Sequence, residues 1–381
     1  MAGIVEKLQK MWNPPDDEYD EYYEDEATEP TADSREEQPS ARRSFSSSSS
    51  NRVVNINHAR AGAQVVVFKP NSFRDDTNSI ADEINRAGVT LTGDKAPLHA
   101  AVMAVSDLRM LRREYDVCFL ATRAYQLQEA AQSVLPYLKD SALMVSMNNG
   151  VCIDELLSVA GELSACWCSI NFGAGIQSPA NYFLKIRGGI VLGMKGGYCP
   201  PQLLELQRLI DPVLKCEITD NIIGTLYSKM LINACITSTA IMTGQTLGDI
   251  LASPEGRQIF DRIMMEGVRM AKAEGIRIVP YRGKLNYYFL CANNPVSKLF
   301  RRIYYHFLGK KYRERTSATL EAMRRGVRSE TDYYNGYICR LGNSHHIACP
   351  VNMEICRTVR EIEQDLNLIS PYNLKLILQK N

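Results

Sequence analysis

Asp116-Val117-Cys118-Phe119-Leu120-Ala121-Thr122-Arg123-Ala124-Tyr125-Gln126 decides how this chain is read. Its first half is apolar without alternation, so both faces of an extended segment would be buried, as in a strand inside a parallel sheet. From Thr122 it turns polar, and a helical pattern follows from about Gln126 to Leu138. The sequence of events then recurs: Ala142-Leu143-Met144-Val145-Ser146-Met147 is a second apolar run, ending in Asn148-Asn149-Gly150. Strand, helix and strand of this kind predict parallel neighbours in a doubly wound sheet. Ligands bind such sheets beyond the carboxyl ends of the strands, where Arg123 and Asn149 stand. A strand ending in a cation can hold a phosphate, and one ending in Asn-Asn-Gly can offer a carboxamide. Taken singly, Asn-Gly more simply makes a turn and an arginine is more simply solvated.

Outward from this pair, Val53-Val54-Asn55-Ile56, Gln64-Val65-Val66-Val67-Phe68 and Val89-Thr90-Leu91-Thr92 read as strands on the N-terminal side. Ser72 would cap a helix from Phe73 to Arg86, closed by Gly88. Shorter strands follow from Ala165 to Lys195, and from about Pro201 the periodicity is helical to the end. The fold class is therefore α/β then all-α, with a sheet unit over 53–200 and a helical unit over 201–381. In front of them, Met1–Trp12 places Ile4, Val5, Leu8, Met11 and Trp12 on one side of an amphipathic helix suited to a membrane surface. Residues 13–52, acidic and then serine-rich, lack the apolar surface needed to order themselves and read as a linker.

The 44 basic and 43 acidic side chains leave a net charge of +1, so no global field recruits nucleic acid. The balance conceals a local split, mostly acid over 16–37 and mostly base over 298–315. All eleven cysteines lie beyond residue 117 on apolar runs, as reduced thiols of a cytoplasmic protein would. Cys166-Trp167-Cys168 and His345-His346-Ile347-Ala348-Cys349 have no finger or ribbon spacing, so no metal is expected. No apolar run reaches the roughly 20 residues a membrane span needs.

Two later segments add chemistry. In Leu226-Tyr227-Ser228-Lys229-Met230-Leu231-Ile232-Asn233-Ala234-Cys235-Ile236-Thr237, helical spacing puts Lys229, Asn233 and Thr237 on one face among apolar neighbours. Such a lysine either snorkels to the edge or lies in a cleft where it can polarise a carbonyl and give up a proton. In Arg328-Ser329-Glu330-Thr331-Asp332-Tyr333-Tyr334-Asn335-Gly336, Glu330 could face Lys229 across an interdomain cleft and keep it protonated.

Thr-Arg-Ala-Tyr-Gln at 122–126, Asn-Gly at 149–150, Leu-Tyr-Ser-Lys-Met with Asn233, and Ser-Glu-Thr-Asp-Tyr-Tyr-Asn-Gly at 329–336, in that order, resemble the ketopantoate reductase family over about residues 88–381. The resemblance implies a Rossmann-like domain binding NADPH and a helical domain closing over a 2-keto acid. It implies Lys229 as proton donor, Asn233 and Thr237 as substrate contacts, and Asn149 as a cofactor and substrate contact. Glu330 would lie near the nicotinamide ribose and Arg123 against the extra phosphate of NADPH. A homodimer is a further possibility under that resemblance.

The chain departs from the family pattern at Thr237 and at Ala318, where the family commonly carries asparagine and serine, and at Leu247, which aligns approximately with a third asparagine. These losses weigh against ketopantoate itself as substrate. No strand followed by G-x-G-x-x-G opens a helix, so the sheet is an incomplete Rossmann-like one and Val65–Phe68 could at best fill the place of the family's second strand. Residues 1 to about 87, through MAGIVEKLQKMWNPP, DDEYDEYYEDE, VVNINHA and QVVVFKP, resemble the front of the cell-division protein SepF, whose first helix binds membrane. Two expectations follow: an NADPH-dependent 2-keto acid reductase with a foreign front, or an impaired reductase body behind a membrane-tethered septum-assembly segment. The basic, aromatic stretch Val296 to Arg315 reads as an amphipathic helix flanking the cleft or making a dimer contact, in preference to a membrane or nucleic-acid contact.

Overall fold

Alternation within a few strands builds the molecule's two cores. In the computed structural model, which describes residues 65–68, 77–93, 97–111, 114–281, 283, 285–314 and 316–380, Val117 and Phe119 face one side of a sheet while Cys118 and Leu120 face the other. Burial on both faces explains why the run carries no polar alternation. The elements run β1 (Val65–Phe68), α1 (Thr77–Ala87), β2 (Val89–Thr92), β3 (Leu98–Ala100), β4 (Tyr115–Leu120), α2 (Leu127–Val134), β5 (Leu138–Ser146), α3 (Ile153–Ala160) and β6 (Ala165–Ile170). They continue with β7 (Gly173–Ser178), β8 (Asn181–Ile186), β9 (Ile190–Gly193), α4 (Pro201–Ile210) and β10 (Cys216–Ile218). The helical part comprises α5 (Ile222–Thr243), α6 (Leu247–Ala252), α7 (Pro254–Glu274), α8 (Tyr287–Leu290) and α9 (Pro295–Lys311), then α10 (Ala318–Arg324), α11 (Asn335–Ser344), α12 (Pro350–Gln364) and α13 (Tyr372–Lys380).

The main sheet has the order β1-β4-β5-β6-β9-β10, parallel except at the β6–β9 pair. β1 lies directly beside β4, Val65 opposite Val117 and Phe68 opposite Leu120. In a Rossmann sheet that is the place of the first strand, so Val65–Phe68 takes the first position and not the second. A second sheet, ordered β3-β2-β8-β7, holds Val89–Thr92. The sequence reads it as a strand of one sheet unit over 53–200; its Val-Thr-Leu-Thr alternation and partial burial suit a half-covered strand in a separate sheet. β10 also lies past the boundary expected at 200/201, so the helical part begins at α5. The expected helix Met1–Trp12, the linker 13–52, the strand Val53–Ile56 and the Ser72 cap fall outside the described residues.

α5 is the pillar of the helical part. Asn221 caps it, its Oδ1 accepting the Gly224 N–H at 3.1 Å, and Gly244 closes it in the left-handed conformation at φ 68°. It is buried on almost every side, packing on α7, α12 and α13 and on β6 and β9 of the sheet. A helix so enclosed carries no amphipathic stripe, and any charge along it must be satisfied inside the protein.

Candidate active site

The loops after β4 and β5 are tied to one another, and the end of β6 meets α5. Ser146 closes β5, and its Oγ donates to Asn148 Oδ1 at 2.9 Å while Asn148 Nδ2 donates to Thr122 O at 2.5 Å. Asn148 is therefore the buried tie between the two strand-end loops, a role the sequence did not assign. The neighbouring Asn149 is half-buried and its carboxamide makes no hydrogen bond to a described residue, which leaves it available to a ligand. Gly150 adopts φ +91°, and a β-carbon there would stand 2.7 Å from Tyr333 O. Glycine is required twice over, for the backbone angle and for the close approach of the helical part.

Lys229 is buried, with 6% of its surface exposed, and its Nζ donates to Ile170 O at the end of β6 at 2.7 Å. It does not snorkel to the surface. Asn233, one turn on, and Thr237, two turns on, are buried along the same face. Glu330, 5% exposed, sits across the seam. Its Oε1 accepts the Ala124 N–H at 2.8 Å, its Oε2 lies 3.4 Å from Arg123 Nη1, and Tyr334 Oη donates to Oε2 at 3.5 Å. The expected Lys229–Glu330 pairing is thus not made. Ala124 opens the helical turn that runs into α2, and an N–H at a helix start attracts a carboxylate more strongly than a distant ammonium does. Arg328 stacks over Tyr125 at 5.7 Å from the ring centre, a further contact across the same seam. Burial raises the Tyr333 phenol to about 12, keeping it neutral beside the Asn149 loop.

Sequence models of the family described as ketopantoate reductase PanE/ApbA match residues 60–197, and those of its C-terminal part match residues 221–363. The chain belongs to the ketopantoate reductase family. A 2-dehydropantoate 2-reductase of Archaeoglobus fulgidus is 23% identical over 257 residues, covering 66% of this chain and 78% of the relative. That of Pyrococcus abyssi is 23% identical over 277 residues, covering 71% and 82%. Among solved structures, a PanE/ApbA family ketopantoate reductase from Ralstonia eutropha JMP134 superposes with a TM-score of 0.61 at 23% identity, covering 75% of this chain and 88% of that one. D-mandelate dehydrogenase, solved with NADH and anilino(oxo)acetate, gives 0.62 at 16% identity, covering 82% and 94%. These two likenesses establish the fold. The family match begins at residue 60 and not at about 88, so residues 60–87 fall inside the reductase match. No described helix is long and apolar enough to cross a membrane.

The family's cofactor fits this chain at one end only. Arg123 and Glu330, paired at 3.4 Å after β4, and the half-buried Asn149 after β5 are polar groups at strand ends of the kind a nicotinamide and its ribose require. The diphosphate end is different: residues 69–76, Lys-Pro-Asn-Ser-Phe-Arg-Asp-Asp between β1 and α1, contain no glycine and two carboxylates. Bare backbone N–H groups at a helix start are what grip a diphosphate, and side chains block them.

Behind the reductase face lies a buried network that the sequence did not reveal. Ser238 on α5 donates to Asn335 Oδ1 at 2.5 Å, and Asn335 Nδ2 donates to Asn352 Oδ1 at 2.8 Å. Glu266 on α7 accepts from Asn352 Nδ2 at 2.6 Å and from the backbone N–H groups of Val351 and Asn352 at 3.0 Å each. It caps α12 and links the helix bearing Lys229 to the segment after Glu330. The available signal was a lone carboxylate on the apolar face of α7.

Proposed function

We propose that this member of the ketopantoate reductase family reduces a small 2-keto acid to the 2-hydroxy acid with NADPH, Lys229 supplying the proton. The observation that carries this reading is the buried Lys229 ammonium, whose Nζ is held by Ile170 O at 2.7 Å beyond the carboxyl end of the sheet. The carbonyl acceptor fixes where the Nζ hydrogens point, so in this reading the lysine is aimed as a donor. When bound, the nicotinamide would supply the hydride. In this reading Lys229 Nζ gives its proton to the alkoxide oxygen as the carbonyl is reduced, and Asn233 donates to the substrate carboxylate from one turn further along α5. Thr237 lines the far end, Asn149 holds the carboxamide or substrate from the opposite loop, and Glu330, paired with Arg123 at 3.4 Å, orients the nicotinamide ribose, which leaves Arg123 out of reach of the 2′-phosphate at the adenosine end. Losing asparagine at 237 favours a less hydroxylated acid than ketopantoate.

The test is NADPH oxidation by the full chain with a panel of 2-keto acids, run beside a fluorescence titration of NADPH. Lys229→Ala should lower kcat by roughly 10²–10⁴-fold while leaving NADPH binding nearly unchanged. Turnover equal to wild type in Lys229→Ala would sink the proton-donor assignment. No saturable NADPH binding at millimolar concentration would sink the redox reading. Reduced nicotinamide mononucleotide, which lacks the diphosphate link to adenosine, is the informative comparison: affinity within about tenfold of NADPH is expected if the glycine-free sequence 69–76 gives little grip.

A further inference from the structure

Helix α9 is fastened along one side and exposed along the other. On the inner side Arg301 Nε lies 3.2 Å from Asp261 Oδ1, Tyr305 Oη donates to that same oxygen at 2.8 Å, and Arg301 Nη1 donates to Leu290 O at 2.5 Å. Asn294 caps the helix through the Ser297 N–H at 2.9 Å. α6 crosses it so closely that a β-carbon on Gly248 would stand 2.5 Å from Arg313 Cα and 3.0 Å from Gly309 O. The helix is held as a rigid rail on α6 and α8.

Its outer side is unlike an ordinary solvated face. Val296, Leu299, Ile303 and Phe307 are exposed by 67%, 60%, 39% and 47%. Their spacing of three, four and four residues aligns them in one stripe. Lys298, Arg302 and His306 form an exposed row beside it, Lys310 and Lys311 close its end, and the helix contains no acidic residue. Scattered exposed apolar side chains are normal, but a continuous stripe rimmed by cations marks a contact surface.

Charge selects the occupant. A second copy would bring an identical cationic helix with no carboxylate to answer this one, so the dimer contact expected from the sequence is disfavoured. Nucleic acid would satisfy the cations and leave the stripe wet. We propose that α9 docks this protein on an anionic lipid surface, lying in the plane of the interface with the stripe at the acyl boundary and the cations among the headgroups. The inference is independent of the reductase reading, because none of these side chains is assigned to substrate or cofactor.

The experiment is co-sedimentation of the full chain with phosphatidylcholine vesicles, with and without phosphatidylglycerol. Since Met1–Trp12 is itself read as a membrane-surface helix, the α9 variants are made in the full chain and scored against wild type. Wild type should pellet with phosphatidylglycerol vesicles and not with phosphatidylcholine alone, and added salt should release it. Removing one cation should weaken partitioning roughly fivefold, so Lys298→Gln/Arg302→Gln/Lys310→Gln should weaken it about a hundredfold. Leu299→Ser/Ile303→Ser/Phe307→Ser should weaken it on the order of tenfold or more. All these positions are exposed, and circular dichroism checks that the fold is kept. Failure of wild type to pellet, or variants that pellet like wild type, overturns the proposal. So does a wild-type dimer in sedimentation velocity that the apolar variant converts to monomer, which would make the stripe an interface between copies.

Discussion

Replacing Glu330 in two ways separates its hydrogen bond from its charge. The carboxylate accepts the Ala124 N–H at 2.8 Å, and both residues are buried, whereas the Arg123 partner lies at 3.4 Å with its side chain 39% exposed. The ion pair is therefore screened and contributes at most about 1 kcal/mol. The backbone bond is another matter, because removing its acceptor leaves a buried N–H unpaired at about 1–3 kcal/mol. Glu330→Ala loses both and should cost about 2–4 kcal/mol, while Glu330→Gln keeps a carbonyl for Ala124 and should cost about 1 kcal/mol. Urea denaturation followed by fluorescence reads the difference as a lower midpoint for the alanine variant at unchanged slope. If the two variants unfold within about 0.5 kcal/mol of each other, Ala124 gains nothing from Glu330 and the seam must be held by other contacts.

Gly150→Ala should lower stability by about 2–4 kcal/mol, combining left-handed strain with overlap at Tyr333, and lower Tm by about 5–10 °C. Gly161→Ala is the control, since Gly161 has φ +69° with nothing within 4 Å of the added carbon and should show the strain alone. Alkaline stability follows from the buried thiols: burial raises Cys118 and Cys166 from the ordinary 9.0 to about 12, and Cys152 and Cys235 rise for the same reason. Because each folded value lies above the unfolded one, the stability involved is fully present below about pH 9 and is lost as the pH climbs toward 12, at about 1.4 kcal/mol per pH unit per thiol. A urea midpoint that stays level from pH 8 to pH 10 contradicts this. Cys199 is the exposed cysteine among the described residues, so Ellman's reagent should label one thiol quickly in the native protein, and Cys199→Ser should abolish that fast phase.

The parallel sheet was legible because β4 and the second half of β5, from Ala142, are apolar on both faces, a pattern that double burial explains. Lys229, Asn233 and Thr237 were legible as one face because helical spacing is fixed by covalent geometry. The structure puts them inside the protein and brings Glu330 to the same seam without pairing it to Lys229. That last misreading has a local cause: sequence spacing says which face a carboxylate occupies, but not that a backbone N–H at Ala124 competes for it. Asn148 was passed over for Asn149 for a related reason. Adjacent asparagines are indistinguishable in type, and only the strand-end geometry decides that one ties Thr122 to Ser146 while its neighbour is left open. The sheet to which β2 belongs was not legible because four residues, Val-Thr-Leu-Thr, fit either a sheet core or a half-covered strand.

The position of β1 separates the requirements of the fold from those of the cofactor. A parallel sheet asks its edge strand only for backbone hydrogen bonds and apolar side chains, and Val65–Phe68 meets β4 in register over four residues. Gripping a diphosphate asks for more, namely unobstructed N–H groups at the start of the following helix, and residues 69–76 offer no glycine to expose them. One strand can therefore restore the sheet without restoring the cradle. Lys229 is set apart from that stretch, because its Nζ is held at the end of β6, which β4 and β5 separate from β1 in the sheet order. Family membership is carried by residues 60–197 and 221–363, a match that includes the glycine-free stretch itself.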